Sequence, residues 1–253
     1  MKKSHSVNDL KINCLLAVLT PVLWLQSRQV RQKTPRLPEA AGPRQGQVGH
    51  GELLKVLVVG DSGAAGVGVQ LMDEGLCGQL VARLSDEYTV DWKVIAINGL
   101  DSPGMIELLE EEAADEFDVV VVSLGANDAT SLCPPDQWSQ LQETVAALIK
   151  RQFSPRVLVH SAVPPMHACL ALPQPLRWFM GCWAGEMNRR LTNAVQTKQL
   201  ISDRRLCKRT VHWHPETTTT FGMSEDGIHP SALGYAVWAQ TLSTHIRAHL
   251  KAR

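Results

Sequence analysis

The 253-residue chain has no net charge, because 25 Lys and Arg balance 25 Asp and Glu. Proteins that hold nucleic acid by its phosphates need a cationic excess, so nothing in the overall balance points to nucleic acid as a partner. Cysteines stand at positions 14, 77, 133, 169, 182 and 207, yet no pair is separated by two residues and none sits in a His-rich zinc spacing. That absence argues against a structural metal. It leaves unpaired thiols in a reducing compartment as the leading reading, ahead of a disulfide set in an exported protein. Internal repeats and low-complexity tracts are also missing. The Gly-rich stretch Gly60–Gly68 (GDSGAAGVG) has no Lys before its Ser, and its glycines miss the Gly-x-Gly-x-x-Gly spacing. Nucleotide phosphate binding is set aside on both counts.

What the chain does have is ordinary globular composition, 44% hydrophobic and 20% charged, enough to fill the core of one three-layer domain. The charge is unevenly placed. Residues 1–50 hold eight basic against two acidic residues, so any attraction to a membrane surface belongs there. Ile12–Leu25 (INCLLAVLTPVLWL) is apolar over 14 residues, with Lys2, Lys3 and Lys11 before it and Arg28, Arg31, Lys33 and Arg36 after it. The run is short for a bilayer crossing, Pro21 interrupts it, and no small-residue cleavage site follows. Peripheral contact with a membrane through residues 12–36 is the leading reading and a packed helix the second, with export the weakest. The expected location is cytoplasmic, at or near the inner membrane. Residues 34–51, rich in Pro and Gly, read as a linker, so the expected division is a segment over 1–50 and a domain over 51–253.

Within the domain, continuous apolar runs at Leu53–Val59, Trp92–Ile97, Asp118–Ser123 and Arg156–His160 predict strands buried on both faces. Helical spacing falls between them, over Gly75–Leu84, Pro103–Phe117 and Trp138–Phe153, and again over Glu186–Gln199 and Pro230–Leu250. Alternation of this kind predicts βαβ units and a mostly parallel sheet. Residues 164–185, rich in Pro, Met and aromatics, read as a long loop over the C-terminal edge of that sheet. His212–Phe221 reads as irregular. His212 and His214 flank Trp213, but no third metal ligand is evident beside them.

Four short stretches carry groups fit for chemistry. Ser62 in Gly60-Asp61-Ser62 follows the first strand, where a parallel sheet opens its crevice and a helix entry aims backbone N–H groups at negative charge. Asp61 is suited to tying the loop to nearby backbone. Asn98-Gly99 and Gly125-Ala126-Asn127-Asp128 follow the next two strands, and a Gly N–H with an Asn carboxamide supplies the fixed dipoles an oxyanion needs. Asp226-Gly-Ile-His229 precedes the last helix, and an Asp three residues before a His on a turn can reach its ring nitrogen. Singly, each of these is also an ordinary turn.

In this order the blocks resemble those of the SGNH/GDSL hydrolase superfamily, over about residues 53 to 240. The matching positions are Ser62, Gly99, Asn127, and Asp226 with His229. The resemblance implies a flavodoxin-like α/β/α sandwich with a parallel sheet and no metal or other cofactor. It also implies an acyl-ester hydrolase with Ser62 as nucleophile, His229 as base and Asp226 orienting it. The oxyanion hole would be the Ser62 and Gly99 N–H groups with the Asn127 side chain. Two departures stand out: Gly63 replaces the Leu that gives the GDSL name, and Leu-Asp-Ser-Pro-Gly after Gly99 makes that turn long. Val163-Pro-Pro-Met166 through Pro173-Gln-Pro-Leu176 is similar to a stretch in small bacterial esterase-like members.

Trp178, Phe179, Met180 and Trp183 are candidates to contact an acyl chain, with plain packing as the alternative. The substrate expected is a small or lipid-like acyl ester. A carbohydrate O-acetylesterase, a lysophospholipase or thioesterase, and an inactive binding module remain alternatives.

Overall fold

The computed structural model describes residues 7–196, 209–213 and 222–251. Six strands form one sheet: β1 (Gln45–Gly49), β2 (Glu52–Gly60), β3 (Tyr88–Ala96), β4 (Val119–Ser123), β5 (Val157–Ser161) and β6 (Arg209–Trp213). Their order is β1-β3-β2-β4-β5-β6, with β1 antiparallel to β3 and every other pairing parallel. The five parallel strands follow the flavodoxin-like order, and the direction of winding reverses between β2 and β4. The expected α/β/α sandwich is the fold observed.

The period-2 alternation of the β-branched strands divides the core. Leu57 and Val59 of β2, with Val120 and Val122 of β4, face one layer; Val56 and Val58, with Val119 and Val121, face the other. On the second face lie α2 (Leu76–Leu84) and α7 (Ala232–Lys251), packed on each other. On the first lie α3 (Ser102–Glu111), α5 (Pro135–Phe153) and α6 (Leu176–Gln196), while α4 (Ala126–Thr130) is a single turn after β4. Asp101 caps α3 by accepting from Gly104 N at 3.0 Å. That helix stops at Glu111, short of the predicted Phe117. Glu110, Glu111, Glu112, Asp115 and Glu116 would crowd negative charge at the negative end of its dipole.

Three stretches depart from expectation. Residues 34–51 are not a free linker: β1 pairs with β3 there, Ala40 N donates to Ala65 O at 3.1 Å, and Arg44 bonds Ala96 O at 2.6 Å. The proposed boundary at residue 51 therefore falls inside the sheet, because backbone groups beside an edge strand gain by pairing. Residues 164–185 are not loop throughout, since α6 begins at Leu176. Leu176, Met180, Ala184, Met187 and Leu191 step by three and four into the core. Aromatics on the other faces hid that period. Finally, His212 and Trp213, expected to be irregular, lie in β6; His214–Phe221 and the end of the predicted helix at Gln199 fall outside the described residues.

The N-terminal helix α1 (Val7–Lys33) runs through Pro21 and packs on α6. Leu23 is buried, Leu19 and Val30 pack beside it, and Gln26 is bonded to Gln174 O and Leu176 N at 2.7 and 3.1 Å. No helix among the described residues is long and apolar enough to cross a membrane. Cys77, Cys133, Cys169 and Cys182 are free thiols.

Candidate active site

The site lies at the C-terminal ends of β2 and β4, where the winding direction reverses. Gly60 closes β2 against β4 so tightly that a Cβ there would sit 2.0 Å from Ser123 O, and Asp61 N donates to that same carbonyl at 3.0 Å. Only glycine permits this approach. The chain turns at once, which leaves Ser62 Oγ facing His229 Nε2 at 2.9 Å. The other ring nitrogen, Nδ1, is 2.5 Å from Asp226 Oδ2.

The second oxygen of Asp226 is fully used. It accepts from Ser224 Oγ at 2.8 Å and from the Ile228 and His229 N–H groups, both at 2.9 Å. Burial works against charge on this side chain, but the hydrogen bonds from the His229 ring, the two N–H groups and Ser224 outweigh it. They hold the carboxyl well below the usual carboxylate range. An ionised, immobile Asp226 therefore faces Nδ1–H, which leaves Nε2 as the lone-pair nitrogen toward Ser62. The loop is itself closed by Ser224 N donating to His229 O at 2.8 Å.

Asp61 sits beneath Ser62 and is buried. Desolvation pushes its carboxyl up to about 6, although it accepts from Gly63 N at 3.1 Å and also from Ala126 N, with His229 nearby. Through those two N–H groups one side chain ties the Ser62 turn to the turn that carries Asn127.

Asn127 Nδ2 donates one of its two hydrogens to Leu100 O at 2.9 Å, and the residue lines the cavity beside Ser62. The second hydrogen has no partner among the described residues. Gly99 adopts φ +86°, a conformation that strongly favours glycine, and nothing stands within 4 Å of where a Cβ would be. The Ser62 and Gly99 N–H groups also donate to nothing among the described residues. Beneath these turns lies a network that the motifs did not announce. Asp128, buried, accepts from Ser102 N and Oγ at 3.1 and 2.9 Å, and Gln142 Nε2 donates to Ser102 Oγ at 2.8 Å. It locks the start of α3 to the Asn127 turn, and the only hint of it in the sequence was an acid directly after Asn127.

Ser62, Asn127 and His229 line one wall of a cavity of about 390 Å³, within the range of small-molecule sites. The same cavity is lined by Pro164, Pro165, Met166 and Cys169 from the loop after β5, and by Leu233, Val237 and Trp238 from α7. Trp178, Phe179, Met180 and Trp183 are not brought to this cavity. Met180 points from α6 into the core, and Trp178 is half exposed. Phe179 and Trp183 pack against each other with centroids 5.8 Å apart, and Trp183 Nε1 donates to Cys133 O at 3.2 Å. Because α6 starts at Leu176, those four side chains are turned by helical geometry and not presented by a loop. The apolar wall from α7 was missed because its residues carried the same three-and-four spacing as core residues.

A flavodoxin-like α/β/α sheet with Ser, His and Asp hydrogen-bonded in series at its switch point defines a class, the SGNH-type hydrolases. The chain belongs to the GDSL-like lipase/acylhydrolase family, whose model matches residues 58–237, and it is a carboxylic ester hydrolase. No curated protein sequence matches it. Among solved structures it is similar to the psychrotrophic esterase EstA from Pseudoalteromonas sp., at 17% identity and TM-score 0.56, covering 78% of this chain and 98% of that one. It is also similar to TesA, at 22% identity and TM-score 0.52, again over 78% and 98%. An acetylxylan esterase from Geobacillus stearothermophilus matches at 14% identity and TM-score 0.56, over 78% and 95%. At these identities the likeness is one of fold.

Proposed function

We propose that the chain hydrolyses acyl esters through Ser62, His229 and Asp226 by way of an acyl-enzyme. The observation that carries this reading is the unbroken series Ser62 Oγ, His229 Nε2, His229 Nδ1 and Asp226 Oδ2, with links of 2.9 and 2.5 Å. Ser62 Oγ attacks the ester carbonyl while His229 Nε2 takes its proton, and the Asp226 charge stabilises the imidazolium that forms. The tetrahedral oxyanion is held by the Ser62 and Gly99 N–H groups and the second hydrogen of Asn127 Nδ2. His229 then protonates the leaving alcohol, and water repeats the sequence on the acyl-Ser62 ester.

The apolar wall formed by Met166, Leu233, Val237 and Trp238 suits the hydrocarbon part of an acyl group better than a sugar ring, whose hydroxyls need polar partners. The reading therefore favours acyl esters with a lipid-like side over acetylated carbohydrate. Peripheral contact of residues 12–36 with the cytoplasmic side of a membrane is proposed alongside it and does not depend on it.

A fluorophosphonate probe tests it. The expected outcome is covalent labelling of the intact protein that disappears in Ser62→Ala and falls steeply in His229→Ala, with parallel loss of hydrolysis of a short-chain ester. Full esterase activity in Ser62→Ala would rule the scheme out.

A further inference from the structure

Twelve large hydrophobic side chains are exposed among the described residues, and they are not spread evenly. Only Val48 and Leu53 lie toward the N-terminal ends of the strands. The other ten sit in segments that leave the strands' C-terminal ends, line the cavity, or fall about one helical turn from Gln26 and Gln174. Single exposed apolar residues need no explanation, but their collection at the end that holds the catalytic cavity does.

The outward face of α1 adds charge to this end. Leu19, Leu23, Gln26 and Val30 step by three and four along the inward face. That spacing turns Trp24, Leu25, Arg28 and Arg31 outward, and all four are exposed. Trp24 is 61% exposed, and the Arg28 guanidinium lies 5.7 Å from the centre of its ring. Lys33 and Arg36 continue the exposed cations, and between Asp9 and Glu39 the chain has no acidic residue. Gln26 ties this helix to Gln174 and Leu176, the end of the loop whose earlier residues Met166 and Cys169 wall the cavity. The indole and the cations therefore stand on the same end as the cavity.

An indole and a Leu flanked by Arg and Lys, with no acid nearby, match a surface that is apolar below and negatively charged at its boundary. We propose that this end of the molecule docks on an anionic lipid bilayer. Trp24 and Leu25 sit at the headgroup boundary, and the exposed Leu170 and Leu233 meet the same bilayer. Arg28 and Arg31 lie over the lipid phosphates. The cavity beside Ser62 then opens toward the lipid, and an acyl ester enters it without crossing water. That last consequence rests on the ester-hydrolase reading, whereas the docking itself does not.

Flotation of the full-length Ser62→Ala protein with vesicles separates the two. Vesicles of phosphatidylglycerol and phosphatidylcholine in equal parts should carry the protein up at about 0.1 M salt and release it as screening rises. Vesicles of phosphatidylcholine alone should not. Each surface cation contributes roughly fivefold, so Arg28→Gln with Arg31→Gln should weaken binding on the order of 30-fold. Trp24→Ala and Leu170→Asp should each weaken it several-fold. Hydrolysis of a water-soluble short-chain ester by the Arg28→Gln/Arg31→Gln protein with Ser62 intact should not change. Equal binding to both vesicle types overturns the proposal, as does binding that survives the Arg and Trp24 changes. Concentration-dependent dimerisation lost in Trp24→Ala overturns it too, because the face would then belong to a second copy.

Discussion

Replacing Asn127 by Ala removes two interactions whose effects fall on different observables. One carboxamide hydrogen is committed to Leu100 O at 2.9 Å in the resting protein. Losing that half-buried bond should cost about 1 kcal/mol of stability, or roughly 2–4 °C in Tm for a protein of this size. The other hydrogen is proposed to act only when the carbonyl oxygen becomes an oxyanion. Its loss should cost about 3 kcal/mol of transition-state stabilisation, roughly 100- to 1,000-fold in kcat. Because a ground-state ester draws little from that donor, KM should hold while kcat and kcat/KM fall together. Steady-state kinetics on a soluble ester, with a thermal melt of the same preparation, measure both effects. A small Tm change with kcat within about tenfold of the parent would refute the oxyanion role and reduce Asn127 to a brace for Leu100. A large KM increase at constant kcat would refute it equally, since that is the mark of uniform binding.

Two further substitutions test the frame beneath the site. The Asp61 carboxyl is raised to about 6 in the fold, above the roughly 3.9 of an unfolded chain. The native state thus holds this proton more tightly, and its contribution to stability falls as pH rises from about 4 to about 6. Asp61→Asn cannot titrate. Its stability relative to the parent, measured by urea melts, should shift in its favour by about 2 kcal/mol between pH 4 and pH 7. A difference independent of pH would contradict the burial argument. Gly60→Ala drives a Cβ to 2.0 Å from Ser123 O, which lies in backbone and cannot swing away. It should lower stability by more than about 4 kcal/mol and reduce soluble yield; a protein that melts like the parent would show that β2 and β4 can part.

The sheet was legible because its central strands are buried on both faces and so read as apolar runs, such as VLVV and VVVV. The candidate catalytic groups were legible for a related reason. Ser62, Asn127 and the Asp226–His229 pair each sit within a few residues of a strand end or a helix start, where glycine and short polar residues mark the turn. Local sequence was enough to find each group, and three residues of spacing were enough to pair Asp226 with His229. What local sequence could not do was bring Ser62 within 2.9 Å of a ring 167 residues away. That distance depends on the order of the strands and on Gly60 letting β2 meet β4.

Elsewhere tertiary context decided against the local pattern. Gln45–Gly49 is short, polar and Gly-rich, and becomes a strand only because the edge of β3 offers unpaired backbone groups. The aromatics at 178, 179 and 183 suggest a lipid-contacting loop until the register of α6 turns them away, while α7, read as a core helix, supplies the cavity wall instead. Which apolar residues touch a substrate depends on how helices are rotated against the sheet, and the same three-and-four spacing serves core and cavity alike. Sequence alone determined the fold class and the candidate groups for acyl transfer. Only the folded chain decided their separations, the Asp61 and Asp128 supports beneath them, and which apolar residues line the cavity, because each arises from contacts between residues far apart in the chain.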